Sequence, residues 1–169
     1  MDIPNDTAEL TKLFHKLGAQ DSESWAKSQI REGIPQLQRY LFLRQAWKHV
    51  LQENDGVWVG SQIQESERYP TGPYAGVGAA LKRAVANGTS TQDLIDIARG
   101  AQAELLFQFC SLLDDPGFSE PELEGFAWGL FEVDENDNPI PPRIGSLYES
   151  VLATDPTGRE MRPRGSTNV

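Results

Sequence analysis

Before residue 34 the chain repeats one arrangement twice: a capping side chain, apolar residues three and four apart, then glycine. Asp6-Thr7-Ala8-Glu9 leads into Leu10, Leu13, Phe14 and Leu17 and stops at Gly18. Asp21-Ser22-Glu23-Ser24 leads into Trp25, Ala26 and Ile30 and stops at Gly33. A carboxylate or hydroxyl before the first turn satisfies otherwise unbonded amides, and glycine accepts the left-handed conformation that ends a helix. A chain opening this way must bury two short amphipathic helices, which predicts a mainly α fold.

Further starts follow. Pro35 suits the first turn of a third helix, whose apolar arc reads Leu37, Tyr40, Leu41, Trp47 and Leu51, with Phe42 and Val50 off that face. Residues 53–75 break the pattern. Asn54-Asp55-Gly56 reads as a turn, Val57, Trp58 and Val59 as a brief extended piece, and Pro70, Gly72 and Pro73 as a loop. A helix is predicted over residues 75–86, with Val77, Leu81 and Val85 inward and Gly88 closing it. The longest one opens at Ser90-Thr91-Gln92-Asp93 and aligns Leu94, Ala98, Ala101, Leu105, Phe109 and Leu112, flanked by Ile95, Leu106 and Leu113. Residues 126–133 suit a strand, Asn136-Asp137-Asn138-Pro139 a turn, and Leu147, Val151 and Leu152 a short helix. The expected architecture is a compact bundle of about five helices with a small irregular or β-containing C-terminal section. It forms a single domain over residues 1–154, followed by a fraying tail over 155–169. No internal repeat points to a solenoid.

Charge divides the chain unevenly. The net charge of −10 is concentrated in residues 114–137, which hold nine Asp or Glu and no Lys or Arg; residues 1–113 carry only −2. A field of that sign repels phosphate backbones, so nucleic acid is not an expected partner; a basic protein or a cation is attracted. A plain solubilising role is the alternative. No apolar run is long enough to span a bilayer, no secretory signal pattern opens the chain, and Cys110 is the sole cysteine; a cytoplasmic location is expected.

Several chemical readings weaken on inspection. Asp134-Glu135-Asn136-Asp137-Asn138 starts like a calcium loop, but Pro139 stands where its glycine belongs and Gly145 where its bidentate glutamate belongs. Gly72, Gly76 and Gly78 fit neither a phosphate loop nor a dinucleotide fingerprint, because Leu81 replaces the third glycine; close helix packing or a flexible lead-in is the simpler reading. His15 falls on a polar face, and neither it nor His49 has a second ligand at zinc spacing. Cys110 sits at the edge of an apolar arc with no nucleophile signature around it, and no serine occupies G-x-S-x-G. No metal or cofactor is expected. Arg44 falls within the apolar arc of the third helix, where a guanidinium must snorkel, pair with a carboxylate or meet a ligand.

The interleaving of aromatic and acidic residues is the pattern that favours a function. Phe118, Phe126, Trp128 and Phe131 lie among Glu120, Glu122, Glu124, Glu132, Asp134, Glu135 and Asp137. Aromatic groups supply contact area at small entropic cost, while acids steer a basic partner. If instead the aromatics are core, the acids are simply a wet face. The leading expectation is a non-catalytic acidic protein that captures a basic partner through Phe118, Glu120, Glu122, Glu124, Trp128, Glu132, Asp134, Glu135 and Asp137. Small acidic inhibitors, including bacterial immunity proteins that neutralise basic toxins, share this profile of charge and size, though no motif. The alternatives are an enzyme or small-ligand protein using Arg44, His49, Trp58 and distant carboxylates, or a scaffold or oligomerisation domain.

Overall fold

The computed structural model describes residues 3–164. The order is α1 (Thr7–Leu17), α2 (Ser22–Glu32), α3 (Gln36–Ala46), α4 (Trp58–Arg68), α5 (Ala75–Ala86), α6 (Thr91–Asp114), β1 (Leu130–Val133), β2 (Pro139–Ile144) and α7 (Leu147–Ser150), with short 3-10 turns between some of them. The protein is mainly helical with a two-stranded antiparallel sheet near its C-terminal end, as the sequence pattern predicts. It divides into two compact units, Met1–Trp47 with Leu105–Val169, and Lys48–Glu104.

In the first unit the local signals act as expected. The Asp6 carboxylate accepts from the amides of Ala8 and Glu9, Asp21 accepts from Ser24, and Gly18 and Gly33 end α1 and α2 in the left-handed conformation. Leu10, Phe14, Ala26, Leu37 and Tyr40 form the core between α1, α2 and α3. Tyr40 meets Phe14 and Trp25 edge to face there, and Phe14 and Trp25 lie tilted against each other, with ring centroids 5.7–6.0 Å apart. Trp47 is fully buried in a second layer, its Nε1 donating to Val151 O at 3.0 Å and Thr154 Oγ1 at 3.1 Å.

Beyond α7 the buried Asp155 carboxylate accepts from the amides of Thr157 and Met161 and from the Thr157 hydroxyl. These bonds tie down part of a segment expected to fray from Asp155 onward; residues 165–169 of that segment lie outside the described residues.

In the second unit Leu51, Val59, Leu81 and Ile95 make the core, with Trp58, Ile63, Leu94 and Ala98 packed against it. Helices α4 and α5 touch at Gly78. A β-carbon there would lie 2.0 Å from the Gln62 carbonyl oxygen and 2.6 Å from Ser66. Close packing is therefore the role of this glycine. Arg99 is buried and donates to Leu51 O, while Gln102 accepts from the Leu51 amide.

Four local expectations need correction. Residues 57–59 are not extended but open α4, a helix inside the stretch read as irregular; Asp55 Oδ1 accepts from Trp58 N at 3.1 Å and starts it. Helix α3 ends at Ala46 in a 3-10 turn, and its buried side is Leu37, Arg39, Tyr40 and Leu43. In α5 Gly78 and Leu81 face inward, whereas Val77 and Val85 are exposed. The predicted strand over 126–133 shrinks to Leu130–Val133, because Phe126 and Trp128 turn aside to pack on Phe118.

Candidate partner-binding surface

The surface is built on the C-terminal end of α6, within the first unit. A helix leaves its last carbonyls without intrahelical donors, and α6 has no basic residue in its final turn. Two distant side chains supply the donors. Trp128 Nε1 donates to Leu112 O at 2.6 Å, and Arg143 Nη2 of β2 donates to Leu113 O at 2.8 Å and to Asp114 O. A cation at this negative end of the helix also suits the macrodipole. The Asp114 carboxylate then accepts from the Leu147 amide at 2.9 Å, which sets the start of α7. The segment between Asp114 and Arg143 is thus anchored at both ends.

What this segment exposes is apolar and acidic. Phe118, Phe126 and Trp128 pack edge to face, with centroids 5.5, 5.7 and 6.2 Å apart. Packed aromatics of this kind usually sit in cores, yet these are 42%, 58% and 36% exposed. Phe131, Val133 and Ile140 of the β1–β2 pair are exposed too, so neither face of this small sheet is fully covered. A two-stranded pair is marginal alone. On α6 the residues expected to face inward, Leu105, Phe109 and Leu112, are exposed, and the buried line runs through Cys110 one step round the helix. Helix α6 is apolar around most of its circumference, so periodicity alone misplaces its buried stripe.

The acids expected at this surface are all exposed: Glu120, Glu122, Glu124, Glu132, Asp134, Glu135 and Asp137. They are not equivalent. Asp134 Oδ1 accepts from the amides of Asn136 and Asn138 at 2.8 and 2.9 Å, and the Asn138 side chain adds further bonds. These hydrogen bonds, the Asn138 side-chain amide first, hold its carboxyl below the usual range. Asp134 therefore shapes the β1–β2 turn, and the segment that opens like a calcium loop is a solvated turn. Glu132 accepts from Gln38 Nε2 at 3.1 Å, linking the strand to α3.

The other named residues do not join this surface. Arg44 is exposed and lines a separate cavity of about 180 Å³ with Tyr40, Thr154 and Asp155, rather than lying in the buried arc. The buried arginine of α3 is Arg39, whose Nε donates to Gly145 O. Burial pulls the Arg39 guanidinium below its usual range, and the carboxylates of Glu149 and Asp114 oppose that pull. His49 is exposed and Trp58 packs on the core, both in the second unit. Burial, with the Asp114 charge adding to it, raises the Cys110 thiol to about 11, the opposite of an activated nucleophile. Among the described residues no group of three or more His, Cys, Asp or Glu is placed to hold a metal ion, and no helix is long and apolar enough to cross a membrane.

Sequence reasoning missed Arg143, Arg39 and Gln38. Arg143 had a readable signal, as the first cation after an uninterrupted acidic stretch. The other two take their roles from partners about a hundred residues away. No family model matches the chain, and neither a curated protein nor a solved structure is similar to it.

Proposed function

We propose that the protein is a non-catalytic binding protein that captures a basic protein partner through the surface between Asp114 and Arg143. The observation that carries this reading is the Phe118, Phe126 and Trp128 group, packed yet open to solvent, in a segment whose carboxylates from Glu120 to Asp137 are exposed and which holds no base from residue 114 to 137. The aromatic edges offer the buried centre of an interface, and the carboxylates form a rim that orients a cationic surface during approach.

The test uses a variant in which Glu122→Gln, Glu124→Gln, Glu135→Gln and Asp137→Asn are combined. Asp134 is left alone because its carboxylate holds the turn. Proteins captured from the native cells are compared between the parent chain and the variant at low and moderate salt. A basic protein should be retained by the parent, released by salt and lost from the variant, with association slowed about ten- to a hundredfold. Retention of the same proteins by both chains at both salts would reject the reading.

A further inference from the structure

We infer that the outer edge of β1 takes up an extended segment of the partner as a third strand, with lysine or arginine residues of that segment beside Asp134, Glu135 and Asp137. The inference rests on the capture reading above and names the form in which the partner docks. A strand turns its backbone groups alternately to its two sides, so a two-stranded sheet bonds one set and leaves the other outward. The register shows which set is open. Asp134 N donates to Asn138 O at 3.0 Å, and Glu132 stands opposite Ile140. Val133 stands opposite Pro139, which has no N–H to exchange with it. The bonded positions are therefore Glu132 and Asp134, and the N–H and C=O groups of Phe131 and Val133 point away from β2. Among the described residues no other hydrogen bond reaches the backbone of Phe131 or Val133, and both residues are exposed.

Backbone and charge together select the occupant. The open groups are peptide donors and acceptors already in strand conformation, and their matching partner is another extended backbone. The opposite edge of the sheet is closed, because β2 carries Pro139, Pro141 and Pro142, which lack the donor that a neighbouring strand needs. A strand therefore adds to β1 alone, and brings the sheet to the three strands at which a small sheet begins to stand by itself. Glu132, Asp134, Glu135 and Asp137 are exposed along β1 and the turn that follows it, with no base from residue 114 to 137. Arg143, on the neighbouring strand, is engaged with the carbonyls of Leu113 and Asp114. A second copy of this chain fits poorly. Pairing that uses both outward positions of each strand would set Glu132 directly against its own counterpart, and like charges so placed destabilise. A basic segment reverses that sign.

The probe is acetyl-Lys-Lys-Val-Thr-Val-Thr-Lys-Lys-amide, titrated into the full chain at low salt while the backbone amides are followed by NMR. Two relatives serve as comparisons. One is N-methylated at its four central residues, which keeps charge and side chains but removes the backbone donors. The other has glutamate for every lysine. The lysine peptide should shift the Phe131 and Val133 amides in a saturable way and slow their hydrogen exchange by about tenfold. Both relatives should bind about tenfold more weakly or worse. Val133→Pro should remove the site, since proline at an outward position takes away a donor and leaves the β1–β2 bonds in place. The Glu132 and Asp134 amides report whether the hairpin survives that change, and the peptide comparison in the parent chain stands without it. Equal binding of the N-methylated peptide would mean adsorption by charge and would overturn strand addition. No saturable shift at Phe131 and Val133, or full binding by a folded Val133→Pro chain, would overturn it too. Shifts of the same two amides that grow with protein concentration alone would give the edge to a second copy instead of a basic segment. Salt-dependent capture of a partner that persists in Val133→Pro would leave the capture reading standing without strand addition. A saturable edge site with no salt-dependent partner would discard the capture reading instead.

Discussion

Gly78→Ala should destabilise the second unit by about 2 kcal/mol, although alanine is the better helix former. The added β-carbon would stand 2.0 Å from the Gln62 carbonyl oxygen and 2.6 Å from Cβ and Oγ of Ser66. Ordinary contact begins near 3.4 Å. The nearest obstacle is backbone, so no rotamer change relieves it and α4 and α5 must separate by more than an ångström. Overpacking of that kind costs about 3 kcal/mol at the upper end of its usual range. Replacing a helical glycine by alanine recovers about 1 kcal/mol. Gly76→Ala is the internal control: it lies in the same helix, its β-carbon would meet nothing within 4 Å, and it should stabilise by about 0.5–1 kcal/mol. Amide hydrogen exchange along α4 and α5, read with increasing urea, measures both changes in the unit concerned. If Gly78→Ala proves as stable as the parent, the close approach of the two helices is not what glycine serves here.

The remaining predictions concern the first unit. Phe126→Ala should weaken partner binding by about 2 kcal/mol while moving the thermal midpoint little, because Phe126 is more than half exposed; a matching loss of stability would place it in the core instead. Arg143→Met should cost about 1–2 kcal/mol of stability by removing the donors at the end of α6, measured by urea titration, and no loss would mean water replaces them fully. Cys110 should resist alkylation in the folded state, with a rate still climbing above pH 9 because its thiol is raised to about 11, and should react at once in denaturant. Fast alkylation at neutral pH without denaturant would contradict its burial. The Asp134 carboxyl is lowered by its hydrogen bonds, so its support for the β1–β2 turn is present above the ordinary carboxylate range and fades as pH falls through its own lower value. Amide shifts of Asn136 and Asn138 followed through an acid titration should move together with that carboxyl; shifts that follow an ordinary aspartate would show that the turn bonds are not formed.

The helix ends at Asp6, Gly18, Asp21, Gly33 and Ser90 were legible in the sequence because a cap acts on amides two or three residues away, and nothing distant competes with it. The acidic stretch was equally legible, since charge needs no fold to be counted. Helix α4 was missed although its start signal, Asp55, was visible: its apolar content is thin, and the Asn54-Asp55-Gly56 turn masked the cap. The inward faces of α3, α5 and α6 were decided by tertiary packing. Each of these helices carries apolar residues on several sides, so the hydrophobic gain is similar for neighbouring rotations. Contacts then choose among them: the tight α4–α5 approach at Gly78 in one unit, and the long-range bond from Arg39 to Gly145 in the other. Those same long-range bonds, with Trp128 and Arg143 closing the end of α6, leave Phe118, Phe126 and Trp128 in solvent. An aromatic residue carries the same sequence signal whether it fills a core or waits for a partner, and only the neighbours brought to it by the fold tell the two apart.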